Sequence, residues 1–162
     1  MSRITLALAA ALSLAFTSLA AQEANCDGWM SSDKDVVGNF WKTITVERVF
    51  DCLTSGAKIN ARGKDGVTPL HLAAGLNNNP DIVTVLLDAG AKLNARNKDG
   101  LTSLHVAARY NNNPDVVTLL LVSGADSSAV NDAGDTPFEL AKMNKALAGT
   151  EIYWVLNDLR FE

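Results

Sequence analysis

Apolar and polar positions along this chain recur at a fixed interval. LNNNPDIVTVLL (76–87) returns 34 residues later as YNNNPDVVTLLL (110–121). The pattern inside each copy predicts two helices. Thr68-Pro69 marks a start, because threonine caps and proline suits the first helical position. Leu70, Leu72, Ala73 and Ala74 follow. Adjacent alanines let a neighbouring helix approach closely, which predicts an inner helix. Asn77-Asn78-Asn79 then ends it, since asparagine tolerates the left-handed conformation of a helix terminus. Asn79 precedes proline and is pushed out of the helical region, where it becomes the next N-cap. Pro80 opens the second helix and Asp81 faces its positive dipole end.

The second helix carries Ile82, Val83, Val85, Leu86 and Leu87. That apolar face is too broad for a surface helix and predicts cover on more than one side. Gly90 closes the helix, as do Gly124 one copy later and Gly56 one copy earlier. Between copies the chain reads as a short excursion to a turn at Asp65-Gly66, Asp99-Gly100 and, altered, Ala133-Gly134.

A unit of this kind cannot bury its apolar sides alone; stacked neighbours bury them. The fold class is therefore an all-α repeat solenoid, built of stacked helix-turn-helix units joined by short hairpin-like loops. Residues 60–93 and 94–127 are full repeats. Residues 21–59 form an N-terminal capping segment with a first partial repeat, and 128–162 a C-terminal capping repeat. Capping units need one polar outer face, which Lys142, Asn144, Lys145 and Asp158 would supply. Trp154 falls in the last apolar run and is expected in core or cap packing.

Residues 1–20 do not fit the repeat. Arg3 precedes an apolar stretch, and Ser18-Leu19-Ala20 suits cleavage by a signal peptidase. The reading is a secretory signal peptide, placing the protein in a periplasm or outside the cell. The alternative is an uncleaved anchor, as residues 4–21 approach the ~18 residues needed to span a bilayer. Thr5, Ser13, Thr17 and Ser18 interrupt that run. Without the leader, 13 basic and 18 acidic residues remain, a net charge of −5. Lysine and aspartate alternate without forming a run, which argues against a nucleic-acid stripe or a basic membrane face.

Export implies an oxidising compartment, where the two cysteines, Cys26 and Cys52, can pair. The alternative for Cys52 is a small buried hydrophobe, since it holds the position of Leu86 and Leu120. A bridge is the favoured reading. It would staple the segment NCDGWM and contribute ~3–4 kcal/mol on the chain-entropy model. Trp29 and Trp41 are expected to help seal that end.

Chemistry-bearing residues are sparse. His71 and His105 are the only histidines. They occupy the same place in adjacent units, side by side at ~10 Å by ordinary helix packing, and do not converge as metal ligands must. Asp65 and Asp99 are equivalent turn residues, a poor arrangement for paired acid–base work. No phosphate-binding glycine loop, G-x-S-x-G or C-x-x-C occurs. No cofactor is expected.

The repeat itself is specific. Gly66-Val-Thr-Pro-Leu-His-Leu-Ala-Ala and Gly100-Leu-Thr-Ser-Leu-His-Val-Ala-Ala each lead to Leu-Leu-x-x-Gly-Ala. This pattern resembles the ankyrin repeat. The period is 34 where the family's is usually 33. Ser103 replaces the expected proline, and Glu139 the expected histidine. The resemblance implies a non-enzymatic protein-binding scaffold whose contact surface runs along the loop tips and inner helices. It implies that the histidines hydrogen-bond locally within the T-P-L-H turn. Carried onto this chain, the contact residues are Lys64, Asp65 and Val67, then Lys98, Asp99 and Leu101, then Asp132, Ala133 and Asp135. The inner-helix ends add Gly75, Leu76, Arg109 and Tyr110. The last two replace Gly75 and Leu76 one unit on, and arginine and tyrosine are typical interface anchors. The expected function is an exported module that binds another protein as an inhibitor, immunity factor or assembly aid. The alternative is a structural or regulatory subunit that binds a small molecule between repeats.

Overall fold

The structure is a computed structural model that describes residues 26–159. The expected leader, residues 1–20, lies outside them. The helices, in order, are α1 (Lys34–Thr43), α2 (Val46–Thr54), α3 (Pro69–Leu76), α4 (Pro80–Asp88), α5 (Ser103–Tyr110), α6 (Pro114–Val122), α7 (Pro137–Ala141) and α8 (Glu151–Leu159). Among the described residues no helix is long and apolar enough to cross a membrane.

Caps set the helix starts. The Asn79 side chain accepts from the Asp81 amide at 3.0 Å, and Asn113 does the same for Asp115. Proline fills the next position in both, where its missing N–H would have had no helical partner. Gly56, Gly90 and Gly124 follow α2, α4 and α6 at φ 97°, 87° and 90°. The inner helices end differently from the expectation. Among the described residues no non-glycine residue has positive φ. Asn77 is extended, at φ −105° and ψ 127°. That geometry turns its carboxamide into the boundary with the preceding repeat. The amide nitrogen of Asn77 donates to the carbonyls of Trp41 and Ile44, at 2.9 and 3.2 Å. Its carbonyl oxygen accepts from the Asn79 amide at 2.9 Å.

α1, α3, α5 and α7 pack as one row of inner helices, and α2, α4, α6 and α8 as a second, outer row. Small residues permit the inner spacing. Ala73, Ala74, Ala107 and Ala108 are all fully buried. A Cβ on Gly75 would lie 2.6 Å from Val106 Cγ1. Gly75 is therefore covered by α5 and leaves the contact surface, contrary to expectation. Equivalent positions fill the core in register: Leu70, Leu104 and Phe138 beneath the inner helices, then Val49, Val83 and Val117 on the outer ones. Cys52, Leu86 and Leu120 form the next column, all buried. Each buried leucine contributes about 1.5–3 kcal/mol relative to exposure.

The two ends are finished differently. At the first, Cys26 bonds Cys52 across 26 residues, with Cα atoms 5.6 Å apart. Both cysteines are thus paired. Trp29 packs against Trp41 with ring centres 5.0 Å apart and planes tilted by 54°, and both indoles are buried. At the other end, Leu147, Ile152 and Leu156 are buried, and Lys142, Lys145 and Asp158 are exposed as expected. Two expectations fail there. Trp154 is 58% exposed, because Ile152 and Leu156 define the buried face of α8 and Trp154 points off it. Asn144 is buried, because it repeats the part played by Asn77. Its side-chain nitrogen donates to the carbonyls of Ala108 and Asn111, at 3.1 and 2.8 Å.

Candidate partner-binding surface

Inner helices and loop tips share one face of the stack, and hydrogen bonds between repeats hold the tips in place. The Lys98 amide donates to the Asp65 carbonyl at 2.9 Å, and the Asp132 amide to the Asp99 carbonyl at 3.0 Å. Within one tip, the Asn97 side chain accepts from the Asp99 and Leu101 amides, both at 2.9 Å. Gly100 turns this tip at φ 73°, a conformation that disfavours side chains. A Cβ there would also lie 2.9 Å from the Asp132 nitrogen. The Arg62 guanidinium bridges the Gly66 and Arg96 carbonyls at 3.1 and 2.9 Å. Arg96 reaches the Val130 carbonyl at 2.6 Å and sits 3.8 Å from the Asp132 carboxylate. Much of the backbone of the second tip is hydrogen-bonded internally, while the side chains of Lys64, Asp65, Lys98 and Asp99 face solvent.

Two grooves indent this face. One, of about 280 Å³, lies between α5 and the last repeat. Leu101, Val106, Arg109, Tyr110, Asp135 and Met143 contribute to it. Tyr110 is 60% exposed. The Arg109 guanidinium lies 5.6 Å from the Tyr110 ring centre and against the Met143 thioether. An arginine held between two soft, polarisable groups is ordered before any partner arrives, which lowers the entropy lost on contact. The other groove, of about 550 Å³, gathers Lys64, Asp65 and Val67 with Leu72 and the N-terminal segment. Leu76, Lys98 and Asp99 line neither groove; Leu76 is half-buried and the other two stand exposed on their tip.

The histidines are structural. His71 Nδ1 accepts from the Thr68 amide at 3.3 Å, with the Thr68 hydroxyl 2.8 Å away. Its Nε2–H then donates to the Leu101 carbonyl of the next repeat at 3.0 Å. His105 repeats this with Thr102 and the Asp135 carbonyl, at 3.2 and 3.1 Å. Burial pushes both imidazoles below the ordinary value of 6.5, against the raising effect of the accepting carbonyls. Neutral rings fit this arrangement, since protonation would set a second donor against the capping amide. Each histidine thus locks its own helix start and reaches the next repeat, a longer reach than the local bond expected. Among the described residues no group of three His, Cys, Asp or Glu side chains is placed to hold a metal ion.

Sequence reasoning missed Met30, Lys34 and Val37, which form much of the second groove. Lys34 and Val37 fall in the weak match around residues 33–41, and Met30 ends the segment NCDGWM, read only as stapled by the disulfide.

This architecture defines a helical repeat solenoid that presents one ordered face. The family profile described as ankyrin repeats, three copies, matches residues 45–132, more than half of the chain. The chain belongs to the ankyrin-repeat family and is a protein-interaction module. No curated protein matches it.

Proposed function

We propose that this is an exported, non-enzymatic binding module that engages another protein through its loop tips and inner helices. It acts as an inhibitor, immunity factor or assembly aid. The contact residues are Lys64, Asp65, Val67, Leu76, Lys98, Asp99, Leu101, Arg109 and Tyr110, with Arg109 and Tyr110 at the centre. The observation that carries this reading is the contrast between equivalent positions. Gly75 is packed beneath Val106, whereas Arg109 and Tyr110, one repeat on, rim a groove and stack on each other. Core positions barely change between the same two repeats. A pre-ordered arginine beside an exposed tyrosine is the composition of an interface hot spot. The leader-like residues 1–20 and the paired cysteines support export, since disulfides persist in oxidising compartments.

The test is affinity capture from the exported fraction with wild type and an Arg109→Ala/Tyr110→Ala variant. A stoichiometric protein retained by wild type and lost from the variant is expected. A stoichiometric partner captured equally by both removes the assigned centre, and no stoichiometric protein at all removes the reading.

A further inference from the structure

The larger groove on the inner face is formed by a feature that the repeat pattern does not supply. Residues 26–32 cross the first repeat as a strap. The disulfide ties its start to α2. The Trp29 indole N–H donates to the Lys58 carbonyl at 3.2 Å, and the Trp29 carbonyl accepts from the Trp41 indole at 3.0 Å. A Cβ on Gly28 would collide with the Phe40 side chain at 2.4 Å, so the strap lies flush against α1. Held this way, Ser31 and Ser32 form one wall of the groove. The first loop tip forms the other.

The floor is apolar: Met30, Val37, Val67 and Leu72, none of them fully covered. The rim is basic: Lys34, Arg62 and Lys64 face a single acid, Asp65. Among the described residues none of these three cations pairs with a carboxylate. Among the residues that line the groove three positive charges stand against one negative over an apolar floor, in a chain that as a whole carries −4. At about 550 Å³ the groove has the size of a site for a short peptide stretch.

We propose that this groove docks an acidic segment of a protein partner. One large apolar side chain enters between Met30 and Leu72, and flanking carboxylates meet Lys34 and Lys64. The proposal rests on the protein-binding reading and adds the chemistry of what is bound. Charge complementarity at the rim favours such a segment and speeds its encounter, while the apolar floor holds it.

The test uses the purified, oxidised chain and two labelled, blocked hexapeptides, read by fluorescence anisotropy at low salt. One carries leucine–phenylalanine between pairs of aspartates; the other has lysines in place of the aspartates. The acidic peptide should bind at least tenfold more tightly than the basic one. Lys34→Glu/Lys64→Glu should reverse that preference without altering the thermal melt, since both side chains are exposed. Equal affinity for the two peptides, or an acidic-peptide affinity untouched by the double reversal, overturns the proposal. So does binding of phosphatidylglycerol vesicles in place of peptide, or self-association that the double reversal abolishes. If the peptide fails while wild type still captures a partner in a manner sensitive to Arg109→Ala/Tyr110→Ala, this groove alone is refuted and the protein-binding function stands.

Discussion

The side-chain amide of Asn111 donates to the backbone carbonyl of Asn77, one repeat earlier, at 2.9 Å. The same nitrogen reaches the Ala74 carbonyl at 2.8 Å, and its oxygen accepts from the Asn113 amide at 2.8 Å. One buried side chain thus ends its own helix, positions the next cap and satisfies the open end of the neighbouring helix. Asn77 and Asn144 make the equivalent bonds at the boundaries on either side. These asparagines link each repeat to the one before it.

Asn111→Ala should therefore be costly. It leaves two buried carbonyls and one amide without this partner, at about 1–3 kcal/mol each where solvent cannot reach. A loss of at least roughly 3 kcal/mol in urea unfolding is expected, against less than about 0.5 kcal/mol for the exposed neighbour Asn112→Ala. Similar losses for the two variants would mean that the boundary bonds contribute little.

Ser103 points to a stabilising change. It occupies the first turn of α5, where Pro69 and Pro137 stand in the repeats on either side. Its hydroxyl is buried and has no hydrogen-bond partner among the described residues. Ser103→Pro removes that hydroxyl and restricts the unfolded chain, by about 0.4–1 kcal/mol for the second effect. A rise in Tm of roughly 3 °C is expected by calorimetry. A fall would show that proline does not fit this backbone.

Acid should loosen the repeats through the histidines. Burial holds the folded-state values of His71 and His105 below 6.5, so the unfolded chain takes up protons first. Their contribution is fully present above pH 6.5 and declines as pH falls from there toward the lowered folded values. Each adds a slope of up to about 1.4 kcal/mol per pH unit in that window. Urea titrations between pH 8 and pH 5 should show this slope, and His105→Gln should flatten it. A slope unchanged in the variant would assign the acid sensitivity elsewhere.

Reduction of Cys26–Cys52 should cost about 3–4 kcal/mol on the chain-entropy model, and it should act at the first repeat. Thiol-treated protein should lose the protection of Trp29 and Trp41 from a fluorescence quencher before helicity at α5 and α6 is lost. Simultaneous loss would show that the strap and the repeats form one cooperative unit.

Much of the fold was legible because its signals are local. Asn79 before Pro80 must leave the helical region, and Gly90 must follow a helix end, whatever lies nearby. The column of Leu86 and Leu120 placed Cys52 in the core, while its bond to Cys26 was read from the expected oxidising compartment. Asn77 was misread because the same letter serves a left-handed terminus or a side-chain bridge. The deciding partners, Trp41 and Ile44, lie 36 and 33 residues away. Asn144 was misread for the same reason, since only the stack shows which face of the last repeat is covered. Trp154 misled because an apolar residue in an apolar run reads as core, while the packing of α8 is decided by Ile152 and Leu156. Of the candidate surface, Arg109 and Tyr110 were found by comparing copies. The strap-lined groove has no counterpart copy and could not be found that way.

Amide hydrogen exchange on the chain with and without its captured partner tests the assigned face most directly. Slowed exchange is expected around residues 64–67, 98–101 and 109–110, with α2, α4 and α6 unchanged. Protection confined to the outer helices would contradict the account.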